Sequence, residues 1–154
     1  MKKETNIKTV LWTVGHSNRS IKYFLGLLKR HKIEVLVDIR SFPKSKIEHF
    51  KQEEMKRWLP ENGIGYIWLG RELGGYRKGG YKKHMQTELF KEGIKRLLKI
   101  AQKKRTCLMC MEANPKYCHR RHISAFLENK RKAKVIHILK KDQTSLLKVL
   151  KMPN

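Results

Sequence analysis

Residues 9–40, TVLWTVGHSNRSIKYFLGLLKRHKIEVLVDIR, decide the fold. The stretch opens with an apolar run that stops at Gly15 and closes with a second run over residues 33–40, and both runs are typical of buried strands. Between them, apolar side chains recur at the spacing of one helix face, at Ile21, Phe24, Leu25 and Leu28. Ser17 or Asn18 is expected to cap this helix. A strand, a helix and a strand in this order predict a βαβ unit with parallel strands and a right-handed crossover.

The same alternation continues along the rest of the chain. We predict a short helix within residues 51–64 that ends before Pro60, followed by a strand within 63–70 and a mobile loop over 71–86. A helix over 88–102 and a strand over 106–112 come next. The chain then continues with a helix from Pro115 to about Asn129, a strand over 134–140 and a terminal helix or tail over 143–151. The expected fold class is α/β, with a mostly parallel sheet and helices on both faces, a Rossmann-like three-layer sandwich. Residues 1–154 are expected to form a single domain.

The charge of the chain indicates its class of partner. Lys and Arg number 37 against 13 Asp and Glu, which gives a formal net charge of +24. Such a chain attracts polyanions, because each neutralised phosphate releases counterions. We therefore expect a nucleic-acid partner, with DNA favoured over RNA. The alternative interpretation is a Lys-rich composition that serves only solvation.

Other compositional features point to a compartment. Three Cys residues are too few for a disulfide framework. The N-terminus lacks the apolar core of a signal peptide, and no run approaches the roughly 18 apolar residues of a membrane span. We expect a cytoplasmic protein with reduced thiols and no membrane partner.

The polar residues suited to chemistry follow the predicted strands. His16 and Ser17 follow the first strand, Asp38, Arg40 and Ser41 the second, Gly70 and Arg71 the third, and Cys110 and Glu112 close the fourth. Ligands of open parallel sheets gather beyond the carboxyl ends of the strands. The sequence therefore predicts a shared site at this edge.

Cys107 and Cys110 form a C-x-x-C pair, a spacing that in other contexts holds zinc. Residues separated by an odd number in a strand point to opposite faces of the sheet. We therefore interpret Cys107 as a buried apolar residue and expect no metal at this pair.

Cys118 has a different setting. It falls in the first turn of the helix predicted from Pro115, beside His119 and Arg120. The free amides and dipole of a helix N-terminus favour an anion and stabilise a thiolate. A nucleophile or an anion-holding site is one interpretation, and a packed cysteine beside phosphate-binding arginines is the other.

Two carboxylates and one histidine are candidates for proton transfer. Asp38 or Glu112 could activate water as a general base, with His16 assisting. Equally, Asp38 and Arg40 fit a structural pair on one strand face.

The remaining candidates would contact a nucleic acid without reacting. Tyr76 or Tyr81 is expected to stack on an extruded base. Contacts to the phosphate backbone, or simply a solvated face, are expected at Lys44, Lys46, Arg71, Arg77, Lys78, Lys82, Lys83 and Arg121.

Several of these blocks together resemble domain-of-unknown-function family 488. The resemblance spans roughly residues 9–138. It includes the motifs G-H-S at residues 15–17, D-[VI]-R at residues 38–40, LGG at residues 73–75, C-x-E at residues 110–112 and C-H-R at residues 118–120, with VIHI following. The resemblance implies an α/β fold and a shared site at the strand ends, and it implies no particular activity.

The leading hypothesis is a nucleic-acid-binding enzyme, a DNA base-processing hydrolase of the glycosylase type that acts on damaged or modified bases and needs no cofactor or metal. The first alternative is a nucleic-acid-binding module without catalysis. The second is a thiol- or metal-dependent enzyme acting on a small phosphate or nucleotide, in which Cys118 is the nucleophile or Cys110, Cys118 and His119 are ligands.

Overall fold

A computed structural model describes residues 9–140 of the chain. Within them, five strands form one parallel sheet in the order β3-β2-β4-β1-β5. The strands are β1 (Val10–Gly15), β2 (Val35–Asp38), β3 (Gly65–Trp68), β4 (Thr106–Cys110) and β5 (Lys134–Ile138). The predicted α/β fold with a parallel sheet is confirmed. The helix or tail predicted over residues 143–151 lies outside the described residues.

Helices cover both faces of the sheet. They are α1 (Ile21–Arg30), α2 (Gln52–Glu61), α3 (Gly70–Leu73), α4 (Tyr81–His84), α5 (Glu88–Lys103) and α6 (Arg120–Asn129), with 3-10 turns at Glu48–Phe50 and Pro115–Tyr117. Buried residues of α1 and α2 form one core cluster, and those of α3 to α6 form another on the opposite face. The result is the predicted three-layer arrangement.

Strand residues alternate between the two cores. Trp12 and Val14 pack in the core of α1 and α2, whereas Leu11 packs in the core of α3 to α6. Cys107 and Cys110 divide in the same way, as the odd separation predicted. Strands covered on both faces must be apolar throughout, which explains the unbroken apolar runs in the sequence.

The first helix is capped by a different residue from the two predicted. The Ser20 side chain accepts a hydrogen bond from the Tyr23 amide at 3.1 Å, so α1 begins at Ile21. The predicted caps, Ser17 and Asn18, lie in the turn that precedes this helix. Ser20 is the better-placed cap because its hydroxyl reaches the third helical amide.

The end of α2 was also predicted wrongly. The helix continues one residue past Pro60, and Gly63 ends it with a φ of +80°. The amides of Gly63 and Ile64 donate to the carbonyls of Pro60 and Leu59, which is the Schellman pattern. A left-handed glycine therefore ends this helix, and the proline is tolerated in its last turn.

The segment predicted as a mobile loop is partly core. Residues 71–86 contain most of α3 and all of α4, and Leu73, Tyr81 and His84 are buried. The Tyr81 hydroxyl donates to the Leu73 carbonyl at 2.8 Å, and the His84 ring contacts the Glu72 carbonyl at 2.6 Å. These contacts anchor the glycine-rich segment, whereas its glycine and lysine content predicted a mobile loop.

The helix predicted from Pro115 begins later. Asn114 caps only the 3-10 turn, and Cys118 is extended, with φ −134° and ψ 147°. Helix α6 then starts at Arg120 and ends at Asn129. Cys118 therefore lies before the helix, two residues from its start, and is not in its first turn. Over residues 9–140, no helix has the length and apolar character needed to cross a membrane.

Candidate functional site

The carboxyl ends of β1 and β4 form a crevice. These strands are neighbours, with Gly15 paired to Cys110. The chain leaves β1 for α1 on one face and leaves β4 for α6 on the other, so the two connections separate above the sheet. This is the arrangement in which open α/β sheets bind ligands. The predicted strand-end residues are therefore brought to one edge.

The backbone at this crevice is tightly packed. The amides of His16 and Ser17 donate to the carbonyls of Cys110 and Met111 at 2.9 and 2.8 Å, which extends the β1–β4 pairing into the loops. A Cβ atom at Gly15 would lie 1.7 Å from the Glu112 carbonyl oxygen. Only glycine fits there, because any side chain would push the two loops apart.

The first of two adjoining cavities, the histidine cleft, has a volume of about 850 Å³. Residues 16–18, residues 44–47, Met111 and Glu112 line it. Lys44 and Lys46 are exposed on one wall, and Glu112 is the only acidic residue in the lining. The two ammonium groups make the cleft suited to an anionic ligand, and the Glu112 carboxylate lies in the same lining.

His16 borders this cleft as a neutral ring. Burial, with the nearby charge of Arg40, lowers its pKa to about 4, although the Ser17 carbonyl opposes the change. Nδ1 lies 2.9 Å from that carbonyl, and because a carbonyl only accepts, Nδ1 carries the proton. Nε2 faces Nη1 of Arg40 at 3.4 Å. Proton transfer by His16 would require one of these contacts to break.

Asp38 is part of a buried ion pair. Its side chain is 0 % exposed, and Arg40 donates to it from Nε at 2.9 Å and from Nη2 at 2.7 Å. The Tyr66 hydroxyl donates to the same carboxylate at 2.6 Å, and burial together with Asp38 raises the pKa of that hydroxyl. Asp38 lines neither cleft. The carboxylate is committed to Arg40 and Tyr66, which is the structural pair of the second interpretation, and its role as a general base stays a prediction.

Arg40 positions the wall of the histidine cleft. Its Nη1 donates to the carbonyls of Phe50 and Lys44 at 2.8 and 3.3 Å. The His16 ring stacks on Phe50, with ring centroids 4.5 Å apart. Arg40 thus ties the end of β2 to the segment that carries Lys44 and Lys46, with its donors committed to protein groups.

The second cavity, the cysteine cleft, has a volume of about 320 Å³. Arg40, Gly75, residues 110–112 and residues 117–119 line it. Met111 and Glu112 line both cavities, so they form the divide between them. A Cβ atom at Gly75 would lie 2.5 Å from the His119 ring, which explains a glycine in this wall.

The floor of the cysteine cleft holds a disulfide between Cys110 and Cys118. The structure differs at this pair from the expectation that all thiols are reduced. Cys107 is free and buried, as predicted. Among residues 9–140, no group of three or more His, Cys, Asp and Glu side chains is placed to hold a metal ion. Cys110, Cys118 and His119 lie together, but the two sulfurs are paired with each other in this arrangement.

The next two residues of the C-H-R block face different surroundings. His119 lines the cysteine cleft, and burial lowers its pKa to about 4, partly offset by the carbonyls of Ile39 and Leu73. Arg120 is fully buried and lines neither cleft. It donates from Nη2 to the Ala113 carbonyl at 2.8 Å, and burial lowers its pKa to about 10. Arg120 therefore lies apart from the two clefts, and its predicted contact with substrate stays a prediction.

Exposed apolar side chains gather around the cysteine cleft. In the described part of the chain, five large hydrophobic residues are exposed: Phe42, Tyr76, Met111, Tyr117 and Leu139. Met111 and Tyr117 line the cleft, and Tyr76 follows Gly75 in its wall. Phe42 packs on Tyr76, with ring centroids 5.4 Å apart. We call Phe42, Tyr76, Met111 and Tyr117 the apolar rim.

Sequence reasoning found only Tyr76 among these four residues. Phe42 follows the strand predicted over residues 33–40, Met111 lies near the end of the strand predicted over 106–112, and Tyr117 lies in the first turn of the helix predicted from Pro115. Their positions near strand ends and a helix start are the available signal. Tyr81, in contrast, is buried and bonded to the Leu73 carbonyl. Its ring is enclosed by protein, so of the two predicted stacking residues Tyr76 is the accessible one.

The predicted backbone contacts divide into two groups. Arg77 donates to the carbonyls of Gly74, Gly70 and Arg71, and Arg121 donates to those of Lys116 and Cys118, so both arginines hold loops in place. The remaining candidates are exposed: Lys44, Lys46, Arg71, Lys78, Lys82 and Lys83. Lys44 and Lys46 are the two that line a cleft.

Comparison with known proteins adds one family. A family model with the description "Domain of unknown function DUF488" matches residues 20–127. This range includes the D-[VI]-R, C-x-E and C-H-R blocks and the residues that enclose the cysteine cleft. No curated protein matches the chain.

Proposed function

The chain belongs to the family Domain of unknown function DUF488, and because that description carries no activity, we propose a function from the two clefts: a nucleic-acid-binding enzyme that hydrolyses the glycosidic bond of an extruded base. The base would occupy the cysteine cleft and the flanking phosphate the histidine cleft. The observation that carries this proposal is the apolar rim, on a chain with a formal charge of +24.

The apolar rim supports base binding. Tyr76 and Tyr117 are each 74 % exposed and Phe42 is 59 % exposed, although aromatic surface of this kind is usually buried. Contiguous exposed apolar groups mark binding surfaces. Aromatic faces stack on any nucleobase, which stabilises single-stranded or extruded nucleotides. Ser41 supports this wall, because its hydroxyl accepts from the Tyr76 amide at 2.9 Å.

The neighbouring histidine cleft supports phosphate binding. Lys44 and Lys46 project from a segment that Arg40 holds by its carbonyls, so their backbone is fixed while their ammonium groups remain exposed. Lysine neutralises phosphate as a point charge and fixes the position of the strand without reading its sequence. The two clefts meet at Met111 and Glu112, which brings a base site beside a phosphate site.

Glu112 is the residue that we propose activates water. It is exposed, lines both clefts and is the only carboxylate in either lining. As general base, it takes a proton from a water molecule whose oxygen bonds to C1′ of the nucleotide. The bond from C1′ to the base nitrogen breaks, and its electron pair leaves with the base. The proton held by Glu112 then neutralises the departing base.

Binding tests the first half of the proposal. We expect labelled single-stranded DNA to bind with an affinity that falls as salt rises, measured by fluorescence anisotropy at two salt concentrations. Tyr76→Ala should weaken binding by about 5- to 150-fold, which corresponds to the roughly 1–3 kcal/mol of one stacked base. Leu139→Ala is the matched control, since Leu139 is exposed but lines neither cleft, and its affinity should not change. An affinity that does not change with salt concentration would contradict nucleic-acid binding through phosphate contacts. Equal affinities of the Tyr76→Ala and Leu139→Ala variants would contradict base stacking at the apolar rim.

Catalysis needs a separate experiment. We expect one class of deaminated, alkylated or oxidised base to be released from DNA oligonucleotides, detected as free base by mass spectrometry. Glu112→Gln should slow release by about 10²- to 10⁴-fold, the usual contribution of a general base, while affinity stays similar. Glu92→Gln, on the exposed face of α5, is the control and should retain activity. Salt-dependent binding without release of any base would favour the non-catalytic binding module.

A further inference from the structure

We propose that Cys110 and Cys118 are a redox-active pair that exchanges with small dithiols and disulfides, with Cys118 as the exchanging sulfur. This activity does not require nucleic acid, although it uses the cleft in which we place the extruded base. The two residues come from separate elements, since Cys110 ends β4 and Cys118 precedes α6, and the fold brings their sulfurs into bonding contact. Both line the cysteine cleft, so a small reagent has a path to them.

The surroundings of Cys118 stabilise a thiolate. The Arg120 amide donates to Cys118 Sγ at 3.5 Å, and it is the first amide of α6, a helix of 10 residues. Free amides and the dipole at a helix N-terminus favour negative charge. Nδ1 of His119 lies 3.7 Å from the same sulfur. Thiolates held in this way are both better nucleophiles at neutral pH and better leaving groups.

Cys110 has the opposite surroundings. Its Sγ lies 3.8 Å from the Glu112 carbonyl, an acceptor that favours a protonated thiol. It is also less accessible, at 2 % exposed against 7 % for Cys118. The pair is therefore asymmetric, with Cys118 reacting with the reagent and Cys110 closing the disulfide. Cys107 takes no part, because it packs in the core on the other face of the sheet and burial raises the pKa of its thiol.

The exchange is balanced with a dithiol as the only co-reactant. One thiolate of the dithiol attacks Cys118 Sγ, the bond between Cys118 and Cys110 breaks, and its electron pair goes to Cys110, which takes up a proton. The second thiolate of the dithiol then attacks the dithiol sulfur in the mixed disulfide and releases Cys118 as the thiolate. The dithiol is oxidised to its disulfide, and the protein pair gains two electrons. The reverse sequence oxidises the protein.

A redox titration of the full chain tests the proposal. The protein is equilibrated in buffers of reduced and oxidised dithiothreitol, then alkylated with iodoacetamide, and the labelled sites are read by peptide mass spectrometry. We expect Cys110 and Cys118 to become labelled together in one two-electron transition, with Cys107 unlabelled until the protein is denatured. In the reduced protein, Cys118 should alkylate about tenfold faster than Cys110. Independent labelling, no disulfide at any ratio, or faster labelling of Cys110 would overturn the proposal.

Variants keep the test decisive. Cys110→Ser retains the exchanging sulfur, so oxidised glutathione should trap a mixed disulfide on Cys118, whereas Cys118→Ser should form no such adduct. Cys107→Ser is the matched control and should titrate as the unaltered protein does. Equal adduct formation in the Cys110 and Cys118 variants would refute the assigned asymmetry. Because none of these readouts involves nucleic acid, they succeed or fail independently of the proposed hydrolase activity.

Discussion

Asp38→Asn should destabilise the protein by about 3–5 kcal/mol, the usual cost of removing one partner from a buried ion pair. Asp38 is 0 % exposed and Arg40 only 6 %, so water cannot replace the lost carboxylate. Both carboxylate oxygens accept from Arg40, so the amide NH₂ would face a guanidinium N–H in either orientation, which leaves donor facing donor. The effect should extend to the cleft wall, because Arg40 holds the Phe50 and Lys44 carbonyls.

Urea unfolding measures this effect. Tyr66→Phe is the matched comparison, since it removes one hydrogen bond to the same carboxylate and leaves the charge pair whole. It should cost about 1.5–3 kcal/mol, the range for hydrogen bonds to charged groups. An Asp38→Asn protein as stable as the unaltered chain would contradict the structural assignment and return Asp38 to the candidates for catalysis. Loss of activity without loss of stability would mean the same.

The strands and helices could be located from the sequence more reliably than the order of the strands in the sheet. Apolar runs and helical spacing locate the five strands and the helices α1 and α5, because burial on both faces or on one face leaves a local pattern. The insertion of β4 between β1 and β2 leaves no such pattern, since strand pairing depends on contacts far apart along the chain. Residues 71–86 show the same limit: glycine and lysine predict a loop, whereas the buried contacts of Leu73 and Tyr81 determine its structure.

The sequence predicted the edge of the sheet at which the candidate site lies, but not the surroundings of each side chain. The rule that ligands collect at strand ends selected His16, Ser17, Cys110 and Glu112, and all four line a cleft. It could not separate an accessible carboxylate from a buried one, because the environment of Asp38 depends on packing against Arg40 and Tyr66. The contact between Cys110 and Cys118 was equally out of reach, since it requires the extended residue that delays the start of α6.

Stability should fall steeply as the pH falls from 6.5 to 4, because desolvation disfavours protonation of the buried His16 ring and the partly buried His119 ring. Burial lowers the pKa of both His16 and His119 from 6.5 to about 4. Between these values the unfolded chain binds protons that the folded chain does not, so acid favours unfolding. The contribution is fully present above pH 6.5 and lost at about pH 4, at about 3 kcal/mol for each ring. Burial lowers the pKa of His84, His122 and His137 in the same direction, which adds to the slope.

The slope of stability against pH tests this more sharply than stability itself. His16→Gln removes one titrating ring. The unfolding free energy that the protein loses between pH 6.5 and 4 should therefore be smaller by about 3 kcal/mol in the variant, independent of any change in its stability at pH 7. Carboxylates titrate in both proteins and cancel in the difference. Equal slopes would show that His16 is protonated as readily when folded as when unfolded. In that case its ring would bind a proton at the cleft near neutral pH, and a role as proton donor to a departing base would replace the neutral ring inferred from its contacts with Ser17 and Arg40.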